Sequence, residues 1–249
     1  MKILKGNYGE CRFCDNMDET YGLPSLEEKS WDLCLTDPPY NINHKVKREV
    51  DSFSYDDNME PEKYFEFSKK WYSIIKEITN LIVFTGGYMN HAMWYRIEPD
   101  LQYMIYYNIR GQGGHRHARF RKFEPLFIFG ESRKGPMFAV YDIAYTIHKQ
   151  LKVKQILHSC AKDWEFWGQI IIDFNPTSVI DPFLGSGTTA QVCEHLGIPW
   201  LGYEIMEEYA PDIEKRIKKG ITEHSRYRPQ KKQSQLSLES FQTLSKKRC

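Results

Sequence analysis

The chain of 249 residues has no long hydrophobic run, no apolar stretch at its N-terminus, no internal repeat and only six cysteines. Because a membrane helix needs about 20 consecutive apolar residues, no membrane span is expected. The opening residues, MKILKGNYGECRF, lack the apolar core of a secretory signal. Six scattered cysteines do not form a disulfide scaffold in a chain of this length, so we expect a reducing, cytoplasmic setting. The CxxC pair Cys11 and Cys14 has no second pair at zinc spacing, and no metal site is expected.

Charge is nearly balanced overall but unevenly distributed along the chain. The total is +1, whereas residues 212–249 carry eleven Lys/Arg against four Asp/Glu, a net +7 that leaves −6 for residues 1–211. Hydrophobic residues make up 41% and aromatic residues 14% of the chain, which excludes a wholly disordered protein. Residues 222–249 are rich in Ser, Gln, Lys and Arg with few apolar anchors, which predicts a basic, flexible tail.

Short apolar runs alternate with segments of helical spacing. Strands are predicted at 31–37, 81–87, 101–109, 124–130, 178–183 and 199–204. Helices are predicted at 61–78, which begins with a proline, and at 163–174, 188–197 and 206–219. This alternation indicates an α/β fold with a mainly parallel sheet, whose binding sites lie beyond the carboxyl ends of the strands. Asp37, Asp181 and Glu204 each stand at the end of a predicted strand.

A glycine turn follows the strand that ends at Asp181, where residues 181–190 read DPFLGSGTTA. Glycines let the backbone turn sharply and let a ligand approach it closely. Glu204 ends the next strand, nineteen positions after Gly185, where a carboxylate can accept hydrogen bonds from ribose hydroxyls. The loop also matches the dinucleotide pattern GxGxxG/A, but a dinucleotide oxidoreductase would need several more βα units after it. A nucleoside-binding half at the C-terminal end fits better, with a ligand-free βα turn as the alternative.

A second rigid turn, Asp37-Pro38-Pro39-Tyr40, follows the strand at 31–36. Its two prolines remove backbone donors and stiffen the chain. The Asp37 carboxylate and a proline carbonyl could each accept one N–H of a planar amine, while the Tyr40 ring stacks on the heterocycle. Such a turn would aim the lone pair of the amine at an electrophile. A plain Pro-Pro turn is the alternative.

Together, DPPY at 37–40 and DPFLGSGTT at 181–189 resemble the amino-group DNA methyltransferases, which use S-adenosylmethionine, over roughly residues 8–220. In that family (D/N/S)PPY marks the catalytic turn and FxGxG the cofactor loop. DPPY comes first here, a circularly permuted motif order similar to that of the β-type enzymes. The resemblance implies a Rossmann-like mixed, mainly parallel sheet flanked by helices. It divides the chain into a catalytic half at 1–130, a small target-recognition insert at 131–157, a cofactor-binding half at 158–221 and the tail.

The resemblance also implies which residues bind the cofactor. The segment after Cys14 corresponds to the family's Gly-Asp-Cys segment, which lines the cofactor adenine, although Cys14 stands where the family has Gly. His158 and Lys162 match the family's His-Pro-x-x-Lys-Pro without its prolines, and Lys162 would pair with the methionine carboxylate. The implied cofactor-binding residues are Asp15, Asn16, Asp37, His158, Lys162, Asp181, Phe183, Gly185, Ser186, Gly187, Thr188 and Glu204.

By the same resemblance, a methyl group passes from S-adenosylmethionine to the exocyclic amine of a base flipped out of DNA. The implied catalytic residues are Asp37, Pro38, Pro39 and Tyr40: the Asp37 carboxylate and the Pro38 carbonyl accept the amine hydrogens, and Tyr40 stacks on the base. In the family an Asp at the first motif position usually accompanies adenine N6, and a Ser cytosine N4, so we expect adenine. N4-cytosine methylation and an inactive, DNA-binding methyltransferase fold are the alternatives.

DNA contacts are predicted in the basic segment 110–122, which joins two predicted strands and holds five Lys/Arg and no acid. Arginine side chains fork onto phosphates, and glycines keep such a segment flexible. The residues are Arg110, Arg116, Arg119, Arg121 and Lys122. Because the insert at 131–157 is short, either it reads few base edges or recognition needs a partner. That partner would be a second copy of the chain, as in a homodimer, or another protein, such as a restriction endonuclease or a specificity subunit.

Overall fold

The computed structural model describes residues 1–42, 58–112, 121–132, 134–136, 140–143, 162 and 164–219. The strands are β1 Lys2–Lys5, β2 Gly9–Phe13, β3 Trp31–Thr36, β4 Thr79–Thr85, β5 Gln102–Gln112, β6 Arg121–Gly130, β7 Val140–Ile143, β8 Val179–Asp181 and β9 Trp200–Glu204. The α-helices are α1 Pro61–Ile78, α2 His91–Ile97, α3 Trp164–Phe174, α4 Thr188–Leu196 and α5 Ala210–Lys219.

The described strands form one mixed sheet in the order β1-β2-β9-β8-β3-β4-β6-β5-β7. Its centre, from β2 through β9, β8 and β3 to β4, is parallel throughout. β6 runs antiparallel to both β4 and β5, and β1 antiparallel to β2. The α/β fold with a mainly parallel sheet, expected from the alternating pattern, is therefore confirmed.

Helices and buried side chains cover both faces of the sheet. On one face, α1 buries Trp71, Tyr72 and Ile75 against β3 and β4, with the Trp71 ring edge-on to Phe84 at 5.9 Å between centroids. On the other face, α3, α4 and α5 pack apolar residues against the same strands. Because both faces are covered, the central strands carry continuous apolar runs in their middle rather than an alternating pattern.

The predicted bounds agree with the observed ones to within a few residues, and those of the first helix, 61–78, are identical. The strand predicted at 101–109 continues to Gln112, and the next begins at Arg121, so the loop between them is shorter than 110–122. The pairing of β5 with β6 shifts register between Tyr107 and Gln112, and the two strands extend beyond this shift into the basic segment 110–122. β1, β2, α2 and β7 were not predicted.

Part of the stretch predicted as a recognition insert belongs to the sheet. β7, within 131–157, pairs parallel with β5 at the edge of the sheet. The predicted tail, 222–249, lies outside the described residues. Within the described ranges, no helix combines the length and the apolar character that a membrane span requires.

Candidate active site

The strand order brings the two sequence motifs to one edge of the sheet. β3 lies between β8 and β4, and β9 lies beside β8, all parallel. Parallel neighbours end at the same edge, so Asp37, Asp181 and Glu204 meet there although up to 167 positions separate them. A cleft of about 950 Å³ opens at the opposite edge, around Trp31 and Ser178, and none of the predicted site residues lines it.

One oxygen of the Asp37 carboxylate, Oδ1, is surrounded by donors. The Tyr40 hydroxyl donates to it at 2.5 Å, the Thr85 hydroxyl donates to it as well, and the Lys162 Nζ lies 3.0 Å away. Thr85 is the last residue of β4, and Lys162 precedes α3, so three separate elements hold this oxygen. Within the described part of the chain, no protein group donates to the second oxygen, Oδ2.

Protein donors reach some backbone carbonyls of the DPPY turn and not others. The Tyr64 hydroxyl of α1 donates to the Pro39 carbonyl at 2.8 Å, and the Asn90 amide donates to the Tyr40 carbonyl at 2.9 Å. No donor among the described residues reaches the carbonyl of Pro38. Asp37 Oδ2 and the Pro38 carbonyl therefore have no protein donor in the described part of the chain, and these are the two groups to which the DPPY resemblance assigns the amine hydrogens.

Gly87 supports the tyrosine of this turn. It has φ +70°, and a Cβ atom there would lie 3.0 Å from the Tyr40 ring. Only glycine meets both conditions without strain. The close approach of backbone and ring therefore fixes where the ring of Tyr40 lies.

Glu124 is a second carboxylate in the site, and the sequence analysis did not identify it. It is 3% exposed and comes from β6, with its Oε1 2.9 Å from the Tyr40 hydroxyl and its Oε2 3.8 Å from Lys162 Nζ. Burial and the charges of Asp37 and Glu124 raise the pKa of the Tyr40 phenol well above its usual value. The sequence feature that could have identified Glu124 is its position as an acid between the basic segment 110–122 and the apolar run of β6.

In the cofactor loop, Glu204 is held by backbone amides. Gly185 N donates to its Oε2 and Met206 N to its Oε1, both at 2.8 Å. Burial nevertheless raises the pKa of this carboxyl to about 7, and these backbone bonds only partly offset that. Gly187, at φ +85°, lets the chain turn directly into α4. A buried carboxylate thus stands at the strand end beside the glycine turn.

Asp181 joins this loop to the strand of the catalytic turn. The Thr36 hydroxyl and Phe183 N donate to its Oδ1 at 2.6 and 3.0 Å, and the Thr189 hydroxyl donates to its Oδ2 at 2.5 Å. Burial raises the pKa of Asp181 to about 6. Protein donors thus occupy both oxygens, and the cofactor contact expected of Asp181 stays a prediction.

The remaining predicted cofactor residues lie around the same loop. Asn16 donates to the Pro182 carbonyl at 2.9 Å, and the neighbouring Asp15 accepts a hydrogen bond from Met17 N. Phe183 is half-buried, with the rings of Phe67 and Trp71 edge-on to it at 6.1 and 5.3 Å. Ser186 is buried, and the hydroxyl of Thr188 donates to the Lys162 carbonyl at 3.3 Å.

Some predicted residues are not part of this geometry. His158, Arg116 and Arg119 lie outside the described residues. Arg110 lies in β5, and Arg121 and Lys122 lie at the start of β6, just before Glu124. Among the described residues, no cluster of three or more His, Cys, Asp or Glu could hold a metal ion. Lys162 contacts Asp37 in the structure, and the contact expected between Lys162 and the methionine carboxylate stays a prediction.

Comparison with known proteins points to one kind of chemistry. Residues 174–215, which include the glycine loop and Glu204, match the model of the N6_N4_Mtase family, described as DNA methylase. The chain is 27% identical over 228 residues to the type II methyltransferase M.HpaI of Haemophilus parainfluenzae, covering 78% of this chain and 70% of that protein.

Solved structures share the fold. The chain superposes on the M1.HpyAVI–SAM complex with a TM-score of 0.57 and 17% identity, covering 84% of this chain and 98% of that one. The cytosine-N4-specific PvuII DNA methyltransferase gives a TM-score of 0.59 and 15% identity, covering 98% of this chain and 93% of that one. The sheet and its flanking helices are those of the Rossmann-like fold of S-adenosylmethionine-dependent methyltransferases.

Proposed function

We propose that this protein, whose membership of the N6/N4 DNA methyltransferase family the comparisons support, moves a methyl group from S-adenosylmethionine to the N6 amine of a flipped-out adenine in DNA. The order of its motifs, DPPY before FxGxG, suits the permuted β-type branch of the family. The proposal rests on two acceptors in the DPPY turn, Asp37 Oδ2 and the Pro38 carbonyl, to which no described residue donates a hydrogen bond.

Two acceptors held in one rigid turn suit a planar amine with two hydrogens. Each hydrogen of the amine would point at one acceptor, which turns the nitrogen lone pair towards the methyl group. Three donors hold Asp37 Oδ1 and so fix the orientation of the carboxylate. As the N–CH₃ bond forms and the S–CH₃ bond breaks, one N–H proton of the amine passes to Asp37 Oδ2. The Tyr40 ring, set in place by Gly87, would stack on the base.

The cofactor site fits a nucleoside. Glu204 offers a carboxylate at the strand end, and Phe183 offers a ring that is only half-buried. S-adenosylmethionine, when bound, supplies the electrophilic methyl group. We assign the ribose hydroxyls to Glu204, the adenine to Phe183 with Asp15 and Asn16, and the methionine end to the loop from Gly185 to Thr188, with His158 and Lys162 nearby.

The choice of adenine rests on Asp37 as the first residue of the DPPY turn. N4-cytosine methylation is the second candidate, because a cytosine-N4-specific enzyme shares the fold. We propose that the DNA phosphates are bound by Arg110, Arg116, Arg119, Arg121 and Lys122. Because the predicted insert is short, we propose that target recognition requires a second copy of the chain or a restriction or specificity partner.

The test is to replace Asp37 and measure transfer and cofactor binding separately. With labelled S-adenosylmethionine and unmethylated DNA, D37A should lower transfer by about 10²–10⁴-fold and leave the cofactor dissociation constant within a few-fold of wild type. D32A is the matched control, because Asp32 lies on the same strand and bonds Thr177 at the opposite edge of the sheet. Transfer that persists in D37A would refute the assignment of the acceptor.

A further inference from the structure

We propose that Glu124 is a further positioning residue of this reaction: by holding the Tyr40 hydroxyl and sharing the Lys162 ammonium, it keeps Asp37 Oδ2 turned towards the amine. This inference rests on the proposed function. Neither the motifs nor the family resemblance assigns Glu124 a role, and it contacts no residue of the cofactor loop.

The Glu124 side chain is buried beside the catalytic turn. Glu124 is 3% exposed and begins an apolar run in which Leu126 and Phe127 are fully buried. A buried carboxylate is costly unless donors satisfy it. The contacts made by this one are the Tyr40 hydroxyl, 2.9 Å from Oε1, and Lys162 Nζ, 3.8 Å from Oε2. Both of these partners also contact Asp37, so among the described residues the groups that compensate the buried charge are ones that touch the catalytic carboxylate.

Few hydrogens are available to the two carboxylates, Asp37 and Glu124. The Tyr40 oxygen lies 2.5 Å from Asp37 Oδ1 and 2.9 Å from Glu124 Oε1, yet it carries one hydrogen. Lys162 Nζ lies 3.1 Å from the same phenol oxygen and within 4 Å of both carboxylates. One hydroxyl and one ammonium therefore bridge two negative groups. A change at Glu124 must alter how both bridging groups bind Asp37.

The expected direction of that change follows from the charges. When glutamine replaces Glu124, Lys162 has one anionic neighbour fewer and is drawn towards Asp37, where it competes with the amine for that carboxylate. The Tyr40 phenol also loses a charged partner, and the ring on which the base stacks loses an anchor. Since misplacing a reacting group by about 1 Å costs about 10²-fold in rate, the effect should appear in kcat. Glu124 contacts Tyr40 and Lys162 rather than the glycine loop, so the cofactor dissociation constant should change far less than kcat, and only through Lys162.

The experiment compares E124Q with E98Q. Glu98 is also buried, at 5% exposure, and pairs with a lysine, Lys76, at 2.5 Å, but it lies at the end of α2, outside the site. We expect E124Q to lower kcat for methyl transfer to DNA by about 10–10²-fold, with the S-adenosylmethionine dissociation constant within twofold of wild type. E98Q should keep the wild-type kcat. E124D, which keeps the charge, should fall between wild type and E124Q.

A double-mutant cycle with Y40F separates positioning from a merely structural role. If Glu124 acts through the phenol, adding Y40F to E124Q should lower kcat by much less than Y40F lowers it in the wild type. Full additivity would overturn the inference, as would a wild-type kcat in E124Q or an equal loss in E98Q. The wild-type enzyme in the same assay keeps the two proposals apart: no transfer there refutes the proposed function, whereas normal transfer with an unaffected E124Q refutes this inference alone.

Discussion

Cofactor binding should depend on pH through Glu204. Burial raises the pKa of this carboxyl from 4.5 to about 7. A shift of that size corresponds to about 3 kcal/mol against the ionised form. Ribose hydroxyls that donate to the carboxylate favour the ionised form, so binding lowers the pKa and releases a proton near pH 6. The dissociation constant of S-adenosylmethionine should therefore rise about tenfold between pH 8 and pH 6.

The stability of the cofactor-free protein should depend on pH in the opposite direction: the contribution of Glu204 falls as the pH rises. Because the folded protein holds the Glu204 proton more tightly than the unfolded chain does, this group stabilises the fold fully below pH 4.5. That contribution, up to about 3 kcal/mol, is lost as the pH rises through 7. The difference in melting temperature between E204Q and wild type should therefore move in favour of E204Q as the pH rises.

Titration calorimetry at pH 6, 7 and 8, in two buffers of different ionisation enthalpy, measures both the affinity and the protons released. E204Q should bind more weakly and with a flatter pH dependence. Whatever dependence remains in E204Q belongs to other groups, and Asp181, with its pKa raised to about 6, is the first to consider. A wild-type dissociation constant that is constant from pH 6 to pH 8 would refute the ribose assignment of Glu204.

Two substitutions test the contacts that hold the site together. T189V removes the hydroxyl that donates to Asp181 and accepts from Trp167. This change should lower the free energy of unfolding, measured with urea, by about 1–3 kcal/mol. An unchanged free energy of unfolding would contradict a stabilising role for these two hydrogen bonds. G87A forces φ +70° on an alanine whose Cβ meets the Tyr40 ring, and should cost about 1–2 kcal/mol and lower kcat. G135A, whose Cβ would have its nearest contact at 3.7 Å, is the matched control, and an equal kcat in both variants would refute this reasoning.

Elements with strong local signals could be predicted from the sequence. α1 begins at Pro61 and buries residues at helical spacing, so its bounds follow from the pattern alone. The β1–β2 hairpin could not be predicted, because both strands are short, β1 is largely exposed, and β2 joins the sheet by pairing with β9 far along the chain. The two motifs could be placed at one sheet edge because parallel strands end together.

The charge network could not be predicted in the same way. Glu124 reaches Tyr40 across 84 positions, and Lys162 reaches it across 122. The Glu124 contact depends on β6 pairing antiparallel with β4, and the Lys162 contact depends on where the residue ahead of α3 lies; no spacing in the sequence reveals either. The resemblance assigns Lys162 to the cofactor from its motif position, which stays a prediction, and it gives no sign that the Lys162 ammonium also contacts Asp37. Spacing along the chain thus identified the two turns but not the side chains that support them.

The most direct test of the central claim is mass spectrometry of nucleosides from unmethylated DNA incubated with the purified protein and isotopically labelled S-adenosylmethionine. The account predicts label in N6-methyladenine that is absent with D37A. Label in N4-methylcytosine would contradict the choice of base but keep the amine chemistry of the DPPY turn. No label in DNA, despite measured binding of S-adenosylmethionine, would contradict the account itself.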